Sequence, residues 1–223
     1  LIVSDDDVCE VVKRLKEAWN IGEDGILSVT DLLESKNIKV VEIKADSSFD
    51  GLSGYVNNDE NMPFVVVNKS FDVERLRFTG LHELGHLVMN LPEEMEKKDK
   101  ERLCNLFASE MLISRDTFVD VLGERRSDIS LQELKVLQAV YGISVDALMF
   151  KAKTVGVISE SKYTSFCIRK NKSLAFKDAV ERSSYRGVEE SSRFDRLVYR
   201  ALAWLPWHQP DHQPSGNRKQ TSA

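Results

Sequence analysis

Two histidines four residues apart, with a glutamate between them, are the residues in this chain best suited to chemistry: His82-Glu83-Leu84-Gly85-His86. The spacing fits H-E-x-x-H, in which a helix stacks both imidazoles on one face so that they reach one metal ion. Glu83 sits one step round from His82, where it can act on a water held by that metal rather than on the metal itself. Leu81, Leu84, Leu87, Val88 and Met89 would wrap the pair in apolar side chains. A chance grouping on an amphipathic helix is the competing explanation. The scarcity of histidine weighs against it, since His208 and His212, the other two of the four, stand in a proline-rich tail.

A catalytic zinc keeps three protein ligands and one open position, so a third ligand is required. One class of zinc protease places another histidine further along the same stretch, but the matching position is Pro92. A carboxylate on a following helix remains, and the candidates are Glu93, Glu94, Glu96, Asp99, Glu101 and Glu110. At about 100° per residue, Glu101 shares a face with Cys104, Ala108, Met111 and Leu112, whereas Glu110 falls nearer the opposite, solvated face. A carboxylate turned toward a core needs a cation or donors to offset its desolvation, and a metal supplies that. Glu101 is therefore the expected third ligand; the alternative is an exposed first-turn residue favoured by the helix dipole. Cys104 reads as a small buried hydrophobe, with a thiol ligand as the other option. Asn105 is placed to hydrogen-bond a ligand and fix its orientation.

The surrounding chain must hold these groups. Its 223 residues, 42% hydrophobic and 30% charged, suffice for one sizeable core or a domain with an appendage. A net charge of −5 gives no global basic field for nucleic acid. Cys9, Cys104 and Cys167, odd in number and far apart, do not form a disulfide framework and suit a reducing cytoplasm. No apolar run approaches a membrane span, so no membrane partner is expected.

In order along the chain, Val8 to Trp19 has the spacing of an amphipathic helix, and Ser28 can cap a second helix through Leu33. Ile38 to Ile43 reads as a strand, and Tyr55-Val56 with Phe64 to Val67 as a hairpin, so a small sheet precedes the metal helix. Ser70 is the expected cap of that helix, and a further helix runs from about Asp99 to Leu112. Ser130-Leu131-Gln132-Glu133 is a capping box, and the turn at Tyr141-Gly142-Ile143-Ser144 leads into another helix. This pair, near 130–153, has the outline of a helix-turn-helix. Ser144, Asp146, Lys151 and Lys153 offer little with which to read bases, so an ordinary packed pair is expected. Residues 158–187 are basic with few helical repeats, and Glu189 to Ala203 is a helix with Phe194, Leu197, Val198 and Ala201 in register. From Trp204 the chain reads as a disordered or non-native tail.

Arg77 to His86, together with Glu101-Arg102-Leu103-Cys104-Asn105-Leu106-Phe107-Ala108-Ser109-Glu110-Met111-Leu112, resembles the ImmA/IrrE family of metallo-endopeptidases. The segment containing Trp19, the strand at 38–43 and Gly51 to Val56 are similar as well, so the resemblance covers roughly residues 8–155. The helix at 189–203 is similar to a common C-terminal extension. Gly80 departs from the pattern, which usually has a larger residue there, and so does the end after Ala203. The resemblance implies an α+β, zincin-like, mostly helical fold, with a peptidase domain over 1–155, a helical extension over 156–203 and a tail over 204–223. It implies zinc held by His82, His86 and Glu101, with Glu83 as general base. It also implies a protein substrate, a helix-turn-helix repressor whose cleavage relieves repression, often under stress. Many members follow an N-terminal DNA-binding domain; the start at Leu1 fits removal of one, and DNA would be a partner only through it. The second electrophile for the oxyanion is expected from Tyr55, Tyr141 or backbone N–H groups. The rival reading is a regulator that senses metal or a ligand through a non-proteolytic zincin-like domain. A third is a scaffold that captures an extended segment at the sheet edge without cutting it.

Overall fold

A computed structural model of the chain describes residues 1–56 and 61–203. Each early element starts where a small polar side chain satisfies the free N–H groups of a helix's first turn. Ser4 and Asp7 close a capping box over α1 (Asp5–Trp19), and Ser28 accepts from the Asp31 N–H to open α2 (Val29–Ser35). Three strands follow, β1 (Lys39–Ile43), β2 (Gly51–Val56) and β3 (Met62–Asn68), in the spatial order β1-β3-β2. β1 runs parallel to β3, with Val40 opposite Val65, and β2 runs antiparallel to it, with Ser53 opposite Val65 on its other side. The sheet is thus mixed, and β2 is an edge. Buried Asn68 anchors the loop into that edge, accepting from the Ala45 N–H and donating to the carbonyls of Asp46 and Phe49 at 2.9 Å.

The helices α3 (Val73–Val88) and α4 (Lys97–Leu112) pack against each other, and α3 also lies against β2 and β3. Leu81 and Leu84 of α3 meet Leu103, Phe107 and Met111 of α4 in one core, all at most 1% exposed. Ser70 does not cap α3. Its N–H donates to Asn68, and the cap position is Asp72, which makes no side-chain cap bond. Gly80, the departure noted in the sequence, lets α2 sit close: a Cβ there would stand 3.2 Å from Val29.

After α5 (Arg115–Leu122) come α6 (Leu131–Tyr141) and α7 (Val145–Thr154), each opened by a capping serine, Ser130 and Ser144. Gly142 between them has φ +60°, and a Cβ there would run into the Arg77 guanidinium, so both backbone and space call for glycine. Residues 158–187, which read as weakly patterned, hold two helices, α8 (Glu160–Lys172) and α9 (Leu174–Glu181). α8 buries no residue fully, which is why its hydrophobic period is faint.

Two further expectations are reversed. Glu110 faces the core, 3% exposed, because Lys151 of α7 meets it there as an ion pair. A helical wheel of α4 alone cannot reveal a partner from a distant helix. Burial pushes the Lys151 pKa down while Glu110 opposes that shift, and Lys151 is absent from the solvated face a DNA-reading helix would use. Glu189 lies outside any helix. Buried, it pairs with Arg77 of α3 and accepts from the Val29 and Thr30 N–H groups at 3.0 and 2.9 Å, putting a carboxylate at the start of α2. Arg77 also donates to the Ile26 carbonyl at 2.6 Å and lies 4.6 Å over the Tyr185 ring.

Helices make up 57% of the structure, so the fold is α+β, mostly helical, with a small sheet before α3. The chain divides into a unit spanning Leu1–Glu190 and a second spanning Ser191–Ala223, whose described element is α10 (Arg193–Ala203). The boundary expected at residue 155 falls inside the first unit, between α7 and α8; the tail reading from residue 204 lies outside the described residues. No helix among the described residues is long and apolar enough to cross a membrane.

Candidate metal centre

His82 and His86 come from successive turns of α3, and Glu101 enters from the first half of α4 across the helix pair. The Nε2 of His82 stands 3.1 Å from Glu101 Oε2 and 3.2 Å from His86 Nε2, and His86 Nε2 stands 3.8 Å from Glu101 Oε2. Three ligands of a tetrahedral zinc, with bonds of about 2.0–2.2 Å, would stand roughly 3.3 Å apart. The donor set, two imidazole nitrogens and a carboxylate oxygen, and its spacing therefore fit that ion. Among the described residues, these three form the one grouping of metal-binding side chains. Of the other carboxylates considered, Glu110 belongs to the Lys151 pair, and Glu93, Glu94, Glu96 and Asp99 lie outside the grouping.

Asn105, one turn beyond Glu101, brings its Oδ1 to 2.9 Å from His82 Nδ1. If that ring nitrogen carries the proton, Nε2 keeps a lone pair directed at the other donors, which is the tautomer a metal ligand needs. Cys104 is fully buried beneath the site. Burial first, then the charges of Glu101 and Glu83, pushes its thiol up to about 12, and it stands outside the donor grouping.

Glu83 points to the opposite wall, toward the sheet. Ser53 on β2 donates from its hydroxyl to Glu83 Oε2 at 2.7 Å, fixing the carboxylate beside the cleft. Gly51 permits this approach. A Cβ there would lie 2.7 Å from Thr79 and 2.8 Å from the Val66 carbonyl, so a side chain would force β2 away from α3. Ser53 was missed in the sequence; the cue was the pair Gly51 and Gly54 bracketing it, since glycines in a strand mark close backbone approach.

The three donors and Glu83 line a cleft of about 690 Å³, bounded by α3, α4 and the β2 edge. Neither tyrosine expected as an oxyanion donor lines it. Tyr55 donates to the Leu87 carbonyl at 3.0 Å, and Tyr141 is buried at the end of α6, its carbonyl accepting from Arg77. The cation in the cleft wall is Arg75, paired with Asp50 at 2.7 Å and lying 3.7 Å over the Phe71 ring. It stands two turns before His82 on α3.

A family model described as Peptidase_M78, IrrE N-terminal-like domain, matches residues 33–153, more than half of the chain and all of the cleft residues named above. No curated protein matches the chain.

Proposed function

The chain belongs to the Peptidase_M78 family with an IrrE N-terminal-like domain, a metallopeptidase family, and from that premise we propose that it is a zinc endopeptidase acting on a protein substrate. The observation that carries the proposal is the pairing, in one cleft, of a three-donor set spaced for zinc with a carboxylate held in that cleft by Ser53. His82, His86 and Glu101 would hold the metal, and Asn105 would orient His82. When bound, zinc supplies a Lewis acid that polarises the scissile carbonyl and brings the pKa of a bound water to about 7.

The protein's own groups supply the rest. Glu83 takes a proton as general base and delivers it to the departing amine nitrogen. Ser53 keeps its carboxylate turned to the cleft through both transfers. The edge of β2 at Gly51–Ser53 forms one wall, so an extended segment can add to the sheet there and pass beside the metal site. The resemblance to ImmA/IrrE peptidases makes a helix-turn-helix repressor the substrate to test. The regulator reading is the weaker one, because it gives Glu83 and Ser53 no task and because Lys151 is buried.

Zinc-loaded wild type and Glu83→Gln, incubated with helix-turn-helix repressors and a peptide library, provide the test. The variant should keep its zinc and lose about 10²- to 10⁴-fold in turnover. Undiminished cleavage by Glu83→Gln would remove Glu83 from the mechanism.

A further inference from the structure

A second cavity, of about 560 Å³, opens beside the metal cleft and shares three wall residues with it: Phe78, Glu101 and Asn105. Its character is different. Where the metal cleft is lined by carboxylates, imidazoles and hydroxyls, this one is faced by Leu106 of α4 and by Ala147, Phe150 and Val155 from α7 and its end. Six charged side chains also line it, three acids and three bases: Glu110 pairs with Lys151 in burial, Asp5 pairs with Arg102, and Lys98 and Glu101 complete the set. Phe150 is 52% exposed, yet its ring is held: it packs edge-on against Tyr163 at 6.0 Å, and the Lys153 ammonium lies 4.6 Å from its centre. A cavity faced by apolar side chains, with a half-exposed aromatic ring held in its wall, is suited to an apolar side chain.

The helix-turn-helix outline of α6 and α7 thereby gains a use. Both α4 and α7 supply walls of this cavity. Side chains of an extended peptide alternate in direction. With the backbone along β2 and one carbonyl at the metal site, a neighbouring side chain would reach over Phe78 and Asn105 into the second cavity.

Resting on the peptidase reading, we infer that this cavity is the specificity pocket of the enzyme, taking a bulky apolar side chain (leucine, methionine or phenylalanine) adjacent to the scissile bond. Its substrates are then segments of protein that carry such a residue at the cut, which in a folded partner are buried core positions. Cleavage follows local unfolding or exposure of that segment.

The test uses two peptide hydroxamates, identical except that the side chain beside the chelating group is isobutyl in one and methyl in the other. Their affinities for zinc-loaded protein are measured by calorimetry for wild type, Phe150→Asp and Ala147→Phe. In wild type the isobutyl compound should bind about tenfold or more tightly than the methyl compound. In both variants, one placing a charge at the mouth and the other filling the space, the ratio should fall to within about twofold. A ratio near one in wild type, or a tenfold ratio that persists in both variants, would overturn the pocket while leaving the peptidase reading in place. Failure of both compounds to bind zinc-loaded wild type would sink the metal-centre reading and the pocket with it.

Discussion

Helices α3 and α4 each carry two polar groupings turned inward, and the groupings are completed in opposite ways. Arg77 on α3 and Glu110 on α4 meet opposite charges, Glu189 and Lys151, and in both pairs the side chains are at most 4% exposed. His82 and His86 on α3 and Glu101 on α4 meet one another, remain 14%, 30% and 41% exposed, and have electron-pair donors converging where a cation belongs. A charge that brings its own counter-charge into the core is scaffold. Donors that converge without one, at the rim of a cleft, wait for a ligand. The difference teaches that burial alone is a poor guide to the working carboxylate, because the most buried one on α4 is the structural one.

The comparison would break most visibly at Glu189. Glu189→Ala leaves the Arg77 guanidinium, which cannot shed its proton, buried without a counter-charge and frees the N–H groups that Glu189 bonds at the start of α2. The loss should be about 3–5 kcal/mol in urea unfolding of metal-free protein. His82→Ala in the same assay should cost less than about 1 kcal/mol, since its site is open to water. A reversed order would erase the distinction between scaffold and site. Glu110→Ala should cost less than Glu189→Ala, because Lys151 can deprotonate. Lys151 is already depressed from 10.5 by burial, so the unfolded chain binds the extra proton and this variant should gain stability as pH rises toward 10.5. A flat pH profile for the variant would remove the buried ammonium from the account.

Asn105 sharpens the comparison, since it supports the site and not the fold. Asn105→Ala should weaken zinc binding by about 10- to 100-fold, read by chelator competition, with urea stability unchanged. Unchanged affinity would mean that the 2.9 Å contact with His82 does not set the tautomer.

Much of this division was legible in the sequence, and where it was not the cause is physical. His82, Glu83 and His86 lie within one turn and a half of a single helix, so local spacing alone brings them together. Glu101 could be reasoned to by its apolar neighbours, although it sits at a rim and is more exposed than that reasoning supposed. Glu110 was misjudged and Glu189 placed in a helix because both are decided by residues far away in the chain. The helices α2 and α6 were readable from their serine caps, α1 from its apolar spacing and α7 from the turn at Gly142. The helix α8 was not, since it buries no residue fully.

The smallest effect expected concerns a cap remote from both groupings. The Ser130 backbone N–H, with its side chain and Arg126, holds Glu133 down to about 2 from 4.5. A depressed carboxylate contributes stability above its unfolded pKa and loses it as pH falls through the folded one, here from about 4.5 to about 2. Glu133→Gln should therefore flatten that part of an acid titration of stability slightly. An acid limb as steep as wild type would show that the capping box is silent.

The central claim is that His82, His86 and Glu101 form one zinc site. Metal content by mass spectrometry, on wild type and Glu101→Ala reloaded with zinc and dialysed side by side, tests it most directly. The account predicts near-stoichiometric zinc in wild type and its loss from the variant, with both proteins folded. Zinc retained by Glu101→Ala at the wild-type level, or none bound by reloaded wild type, would contradict it.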